Sequence, residues 1–440
     1  MCCLLSIILI YLGYCLLFAP YIGGCFTAAT PEMRFIMYTK DEVLQFVEEE
    51  DVKFIRLAFC DVFGNQKNIA IMSGELERAF TSGISFDASA IRGFTDVEKS
   101  DLLLFPDPST LAVLPWRPSN GKVMRMYCDI KYPDGTSYEA DTRSFLKKAV
   151  SDAKDMGIVC NFGPEFEFYL FNTDERGEPL PEPYDRAGYF DIAPADKGEN
   201  FRREVCLTLE KMGIRPETSH HEEGPGQNEI DFKYGDALSA ADNAVTFKWV
   251  VKTAAASNGL YADFSPKPFS AEAGSGMHIN VSVHTLRNDK DPTREFMAGI
   301  MEHIPDITRF LNPISASYDR LGGCKAPKYV SWSEQNRSQL IRIPAASGEY
   351  RRLELRSPDC EANPYLAFAL LIYAGLDGIK RQLTPSAPLD INLYDAPEGI
   401  TSGLLLLPQS LSEAAKRAAS SAFVASVLPE AIRKIYIAEE

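Results

Sequence analysis

Residues 163–170 read GPEFEFYL, an alternation of acidic and aromatic side chains with a period of two. Successive side chains of a β-strand point to opposite faces, so Glu165 and Glu167 share one face. Phe166 and Phe168 then share the other. Two carboxylates at neighbouring positions on one face repel each other unless a positive charge lies between them. The stretch therefore predicts a strand whose acidic face is either exposed to water or directed at a cation.

The same alternation recurs in other predicted strands, and this favours the cation. Residues 277–283, MHINVSV, place His278 on a polar face, and residues 351–356, RRLELR, do the same for Glu354. Facing strands could assemble five glutamates and one histidine: Glu165, Glu167, Glu222, Glu229, Glu354 and His278. An oxygen-rich set with one imidazole suits Mg²⁺ or Mn²⁺ better than Zn²⁺.

A second group of candidate site residues is cationic. Its members are Arg320, Arg337, Arg342, Arg352 and Arg356. Planar guanidinium groups bind phosphate and carboxylate oxygens in bidentate fashion, and arginines beside metal-binding carboxylates are typical of phosphoryl transfer. The alternative is a network of surface ion pairs. The chain contains neither GxxxxGK[ST] nor GxGxxG, so a bound ATP would not lie on a P-loop.

Composition sets the broad class of protein. The 440 residues suit two or three domains, and 45% hydrophobic with 24% charged residues is typical of a soluble globular protein. A net charge of −16 argues against a nucleic-acid partner. The cysteines after the first 36 residues form no CxxC pair, so we expect reduced thiols and a cytoplasmic protein.

Residues 1–36 form an apolar leader that differs from the rest of the chain. No charged side chain occurs from Met1 to Thr30, and residues 4–26 are long and apolar enough for a membrane span. No basic segment precedes them, which is unusual for a signal peptide. The leader is either an upstream extension of a protein that begins at Met33 or Met37, a membrane anchor, or a cleaved export signal.

Local patterns predict several elements of secondary structure. We expect an amphipathic helix over residues 40–50, a strand over 53–59, and strands and loops over 66–136. Asp141 or Thr142 is expected to cap a helix that ends by residue 157, so a domain boundary is placed at 137–142. A further helix is expected to open at Asn363-Pro364, because proline suits the first helical position.

The motifs of the chain resemble those of the bacterial type I glutamine synthetases, and their order and spacing fit over residues 40–440. They lie at residues 163–167, 220–229, 274–278, 336–344 and 352–356. The resemblance implies an α+β fold, with a small β-grasp domain at 37–138 and a catalytic domain at 139–440. An antiparallel sheet would line the active-site funnel of that domain. It also implies a homododecamer of stacked hexameric rings, whose active sites are completed by a neighbouring subunit.

The resemblance assigns roles to residues of this sequence. A first metal would be held by Glu167, Glu222 and Glu229. A second metal would be held by Glu165, His278 and Glu354. The ATP-binding residues would be Glu217, Tyr234, Ser282, Arg342 and Arg352. The substrate-binding residues would be Gly274, Arg320, Arg356 and Glu167. The catalytic residues would be Asp87, Arg337, Glu222 and Tyr189, with Asp87 deprotonating ammonium.

The implied reaction joins ammonia to the γ-carboxylate of L-glutamate through γ-glutamyl phosphate, with ATP as co-substrate and Mg²⁺ or Mn²⁺ ions in the site. Departures from the family pattern leave alternatives open. Ala273 replaces an asparagine, Lys325 in GCKAP replaces a glutamate of the flap, and Ala90 replaces a serine near the ammonium. The alternatives are a γ-glutamyl-amine or other carboxylate–amine ligase, and a non-catalytic relative. Tyr394 lies where some relatives are adenylylated.

Overall fold

The first part of the computed structural model is a small mixed sheet with two helices. Its elements are α1 (Lys40–Glu49), β1 (Val52–Cys60), β2 (Gln66–Met72), α2 (Leu76–Ser82), β3 (Ile84–Asp87), β4 (Asp101–Pro106), β5 (Ala112–Val113) and β6 (Lys122–Lys131). The strand order is β2-β1-β6-β4-β3, and β5 also pairs with β6. Strands β1 and β6 are parallel, while the other pairs are antiparallel.

Most local predictions for this part are confirmed. Helix α1 begins after Thr39, whose side chain and that of Glu42 form a reciprocal cap. Strand β1 covers the predicted residues 53–59. The prediction of only strands and loops over 66–136 is wrong, because α2 lies there. Two buried side chains on a seven-residue helix leave too short a pattern to recognise.

The second part contains a large sheet covered by helices. Its elements are α3 (Thr142–Asp155), β7 (Ile158–Thr173), β8 (Pro179–Pro183), α4 (Glu199–Lys211), β9 (Pro216–His221), β10 (Gln227–Phe232), β11 (Gly235–Asp236), α5 (Ala237–Ser257), β12 (Leu260–Asp263), β13 (Met277–Thr285), α6 (Thr293–Leu311), α7 (Ser315–Arg320), β14 (Trp332–Glu334), β15 (Ile341–Ile343), β16 (Leu353–Leu355), α8 (Pro364–Arg381), α9 (Glu398–Thr401), α10 (Leu411–Ser420), α11 (Ala422–Val427) and α12 (Glu430–Ala438). The strand order is β14-β15-β16-β13-β7-β10-β9, and β8, β11 and β12 also pair with β7. All these pairs are antiparallel except β14 with β15.

Strand β7 separates the core from the acidic side of the sheet, as its alternation predicts. Phe166 and Phe168 are fully buried. Their rings pack against Phe247 of α5 at centroid distances of 5.1 and 6.3 Å. Full burial of a phenylalanine side chain contributes roughly 1.5–3 kcal/mol, so these contacts fix which face of β7 points inward. Glu165 and Glu167 must then point to the opposite side.

Side-chain caps start the helices next to this sheet. Asp141 accepts a hydrogen bond from the backbone of Arg143 and begins α3, as expected. Asn363 caps α8, and Pro364 occupies the first helical position. The Asn363 side chain also donates to the Val62 carbonyl at 3.0 Å, which connects α8 to the N-terminal sheet.

A buried arginine joins the two parts of the chain. Arg143 of α3 donates to Asp107 at 3.0 Å and to Asp129 at 2.9 Å, both in the N-terminal sheet region. It also binds Asp242 of α5 at 2.9 Å. Its side chain is 4% exposed, so the contacts are shielded from water. The domain boundaries at residues 138 and 139 stay a prediction.

Helices α6 and α8 touch through their backbones. A Cβ added to Gly299 would lie 2.1 Å from the Ala374 carbonyl oxygen, and one on Gly378 would lie 2.1 Å from the Glu295 oxygen. Any side chain larger than hydrogen would force the helices apart.

The structure describes residues 38–117, 121–286, 291–345 and 351–438. The leader predicted at residues 1–36 lies outside these ranges. No helix within them has the length and apolar character needed to cross a membrane. The α+β fold class, with a β-grasp sheet before a sheet-based catalytic region, is confirmed.

Candidate active site

Strand pairing brings the acidic side chains into one group. Glu229 of β10 lies opposite Glu167 of β7, and Asp231 lies opposite Glu165. On the other side of β7, His278 of β13 lies opposite Glu165. Like charges at directly opposed positions destabilise a sheet, so this register requires compensation from a cation or a shared proton.

The ligand atoms of these residues lie close enough to share metal ions. Several groups have their ligand atoms within 4.8 Å of one another. Among the described residues, three of these groups contain predicted metal ligands: Glu165, His278 and Glu354; His220, Glu222 and Glu229; and Glu165, Glu229 and Asp231. The first is the predicted set for the second metal. The predicted set for the first metal is brought together only in part. Glu222 and Glu229 share a group with His220, while Glu167 lies opposite Glu229 in the pairing of β7 with β10.

The protonation behaviour of the acids reflects this crowding. Burial, followed by repulsion from Asp231 and Glu167, raises the pKa of Glu229 well above its ordinary value. Burial and the Glu165 carboxylate raise the pKa of Asp231 to about 7. Burial also raises the pKa values of Glu167 and Glu222. Divalent cations would relieve this repulsion, and the donor set therefore fits Mg²⁺ or Mn²⁺.

The imidazole of the predicted ligand set, His278, is held neutral. Burial and the nearby Arg356 charge lower the pKa of His278 to about 3. Its Nδ1 is 3.5 Å from Glu165 and 3.9 Å from Glu354. A neutral imidazole is the form that ligates metals, so His278 has the protonation state that its predicted role requires.

Arginines surround the buried end of the acidic group. Arg342 of β15 and Arg356 both form ion pairs with Glu354, whose side chain is 0% exposed. Arg320 donates to the carbonyls of Ser357 and Arg356 at 2.8 and 3.1 Å. These contacts fix the directions of the guanidinium groups before any substrate arrives.

One cavity collects most of the predicted nucleotide contacts. It is lined by Asn161, Gly163, Glu165, Glu217, Asp231, Phe232, Tyr234, Asn280, Ser282 and Arg352. Four of the five predicted ATP-binding residues are therefore together, beside the metal-site residue Glu165. The remaining one, Arg342, forms an ion pair with the buried Glu354.

A second cavity collects the residues predicted for the acidic substrate. It is lined by Glu167, Glu222, Glu223, Gln227, Ala273, Gly274, His278, Arg320, Cys324, Lys325 and Arg356. The Gly274 carbonyl accepts a hydrogen bond from Gln227 at 3.1 Å. A Cβ on Gly274 would lie 2.4 Å from the Pro266 oxygen, so the backbone reaches the cavity only because the residue is glycine.

The predicted catalytic residues are not all brought together. Tyr189 lies beside His220, with ring centroids 5.7 Å apart. Burial and Glu222 raise the pKa of Tyr189, and Arg337 acts against them. The Asp87 carboxylate, in the N-terminal sheet region, accepts a hydrogen bond of 2.6 Å from the Ser89 hydroxyl. Among the residues that line the two cavities, Asp87 does not occur.

The residues that depart from the family pattern have definite contacts. The Ala273 carbonyl accepts a hydrogen bond from the Tyr169 hydroxyl at 2.6 Å. Lys325 forms an ion pair with Glu223, and its ammonium lies 4.9 Å from the centroid of the Tyr189 ring. Ala90 ends a short helical turn directly after Asp87.

Several residues at the site were not assigned a role from the sequence, among them His220, Asp231 and Asn280. Asp231 lies in the nucleotide cavity and belongs to a metal-capable group. Its alternation with Glu229 along β10 was the available signal. Asn280 donates to Glu165 at 2.8 Å and accepts from Arg352 at 2.8 Å. The sequence places Asn280 on the polar face of β13, together with His278, but it does not reveal these hydrogen-bond partners.

This combination of fold and site defines a metal-assisted, nucleotide-using class of protein, and family comparison agrees. Residues 139–439 match the glutamine synthetase catalytic domain, and residues 51–133 match the glutamine synthetase beta-Grasp domain. The chain belongs to the glutamine synthetase family.

Individual relatives are similar over most of their length. The glutamine synthetase of Clostridium saccharobutylicum is 48% identical over 391 residues, covering 86% of this chain and 88% of that protein. That of Methanosarcina mazei is 46% identical over 413 residues, covering 91% of this chain and 92% of that protein. A solved GmaS/ADP complex has a TM-score of 0.81 at 30% identity, covering 89% of this chain and 93% of that one. Plasmodium falciparum glutamine synthetase has a TM-score of 0.80 at 25% identity, covering 91% and 95%.

Proposed function

We propose that this protein is an ATP-dependent glutamate–ammonia ligase, which makes glutamine, ADP and phosphate through γ-glutamyl phosphate. The observation that carries the proposal is the position of β7. Its Glu165 lines the nucleotide cavity, and its Glu167 lines the acid-substrate cavity. Neighbouring residues on one strand therefore connect the two places where the reacting groups would lie. The curated relatives named above as glutamine synthetases support the same activity.

The buried acids would hold two Mg²⁺ or Mn²⁺ ions. One set is Glu167, Glu222 and Glu229, and the other is Glu165, His278 and Glu354. When bound, such ions neutralise phosphate oxygens and lower the repulsion between two anionic substrates. Asp231, with its raised pKa, lies beside both sets and would add a further oxygen ligand or accept a proton.

The side chains of the protein would perform the remaining tasks. Arg320, Arg356 and the Gly274 backbone would hold the carboxylates of glutamate. Glu217, Tyr234 and Ser282 would contact the nucleotide, with the Tyr234 ring under the adenine. Arg342 and Arg352 would bind phosphates, and Arg337 would lie at the transferred phosphoryl group. Arginines fixed before the reaction stabilise charge that develops in the transition state.

Ammonium would be bound by carboxylates near Tyr189 and Glu222 and would lose a proton to Asp87. Attack of ammonia on the acyl carbon then breaks the acyl–phosphate bond and releases phosphate. We propose that Asp87 reaches the cavity of a neighbouring subunit, in a homododecamer. What supports this proposal is that Asp87 is not among the described residues that line the two cavities of its own chain. We also propose a cytoplasmic location.

The principal test is phosphate release by the purified chain with ATP, Mg²⁺ and glutamate, with ammonium or a panel of primary amines. Ammonium-dependent release together with glutamine formation supports the proposal. Glu229→Gln removes a metal ligand with little change in volume and should abolish the release. Lys416→Gln, at an exposed position of α10, is the control and should leave the release unchanged. Absence of phosphate release with ammonium and with every amine of the panel would indicate a non-catalytic relative.

A second candidate is a ligase that joins another amine to the carboxylate. The specific observation that favours it is Lys325, whose positive charge lies near Tyr189 and Glu223. A fixed cation there disfavours ammonium and could instead pair with an acidic group carried by the substrate. Release of phosphate with an amine that carries an acidic group, but not with ammonium, would support this candidate.

A further inference from the structure

A tight loop lies at the rim of the acid-substrate cavity, over residues 322–326. A backbone hydrogen bond of 3.2 Å from Gly322 to the Ala326 carbonyl closes it. Lys325 has a φ of +64°, which side-chain-bearing residues rarely adopt. Its carbonyl accepts a hydrogen bond from the buried Arg356 at 3.4 Å. The loop conformation is therefore set by contacts to the site.

The Lys325 side chain ends in surroundings that would recognise an ammonium ion. It forms an ion pair with Glu223, and its nitrogen is 4.9 Å from the Tyr189 ring centroid. Glu222 is also near, since it lines the same cavity as Lys325. Carboxylates and an aromatic face are the groups that bind small ammonium ions.

We propose that Lys325 is a specificity-determining residue, whose ammonium occupies part of the amine subsite and must be displaced before substrate amine binds. This rests on the proposed ligase function. The Lys325 and Glu223 side chains are 39% and 40% exposed, so the ion pair can open toward water. The resident cation competes with ammonium and lies over the Tyr189 ring, where the alkyl group of a larger amine would otherwise bind.

The amine can bind only to molecules in which the Lys325 side chain has left the subsite. The apparent KM for the amine is therefore the intrinsic value divided by the fraction of such molecules. An exposed ion pair together with a cation–π contact stabilises the occupied subsite enough to raise the apparent KM about tenfold. The effect should appear in KM for ammonium and much less in kcat, since Lys325 leaves before the chemical step.

The test uses the full chain and the variant Lys325→Met, which keeps the length of the side chain and removes its charge. We expect its KM for ammonium to fall about tenfold. We also expect methylamine and ethylamine to become substrates. Lys325→Arg keeps the charge and should retain the high KM. Lys328→Met is the matched control, because Lys328 lies in the neighbouring segment with its nitrogen 6.0 Å from the Tyr329 ring.

Calorimetric titration of ammonium and methylammonium into the protein with Mg²⁺ and ADP gives a readout that needs no turnover. Tighter binding by Lys325→Met than by the unmodified chain and Lys328→Met supports the proposal. Equal affinity and equal KM in all variants would overturn it. If the unmodified chain releases no phosphate with any amine, the ligase function fails, while the calorimetric comparison still decides the role of Lys325.

Discussion

The Asp107 carboxylate offers a quantitative test of how the two parts of the chain are held together. It binds Arg143 at 3.0 Å and Lys147 at 3.2 Å, both on α3, and its side chain is 16% exposed. The substitution Asp107→Asn keeps the shape of the side chain and removes the charge. Arg143 keeps Asp129 and Asp242 as partners, so the variant should still fold.

The size of the effect follows from the pKa of Asp107. Burial alone would raise this pKa, but Arg143, Ser109 and Lys147 outweigh it and lower the pKa from 3.8 to about 2. A shift of this size corresponds to about 2 kcal/mol in the free energy of unfolding. Because the folded-state pKa is lowered, the stabilisation is present above about pH 4 and is lost as pH falls toward 2.

The assay is urea unfolding of the unmodified chain and of Asp107→Asn at several pH values. We expect the variant to be less stable by about 2 kcal/mol at pH 7, and the difference to narrow below about pH 4. Asp155→Asn, at the exposed end of α3, should change stability by less than about 0.5 kcal/mol. A difference for Asp107→Asn that stays constant from pH 7 to pH 3, or that is already near zero at pH 7, would refute the reasoning.

Three further predictions concern the metal site and the helix packing. Chelation by excess EDTA should stop phosphate release and lower the midpoint of thermal unfolding, because bound metal stabilises the folded state. Added Mg²⁺ should restore both the release and the midpoint, and failure to do so contradicts the prediction. Asn280→Ala removes the donor to Glu165 and should raise the Mg²⁺ concentration for half-maximal activity about 10- to 100-fold; an unchanged titration curve contradicts this. Gly299→Ala places a methyl group 2.1 Å from the Ala374 oxygen, so unfolding by urea should occur at markedly lower concentration; a midpoint equal to that of the unmodified chain argues against the contact.

Much of the site could be predicted because it lies on strands. Side chains of a strand alternate, so residues 163–170 alone separate Glu165 and Glu167 from the aromatic core. The cross-strand partners could not be derived this way, since the sequence does not state which strands are neighbours or in what register. The ion pairs of Glu354 with Arg342 and Arg356 are therefore results of the structure.

Loops were less predictable, for a physical reason. The contact between Lys325 and Glu223 depends on a backbone turn at residues 322–326 in which Cys324 and Lys325 both have positive φ. No local sequence pattern predicts positive φ in side-chain-bearing residues, because this conformation is maintained by residues distant in sequence, such as Arg356. The roles assigned to individual site residues stay predictions until the variants are measured.

The central strand β7 also limits how this sequence can change over evolutionary time. It pairs with β13 on one side and with β10 on the other, and both pairings extend through Glu165. Inserting or deleting a single residue before Glu165 would turn the carboxylates toward α5 and the phenyl rings toward the substrates. Length variation is therefore tolerable in the connections between strands, whereas inside β7 only replacement of one residue by another preserves a working enzyme.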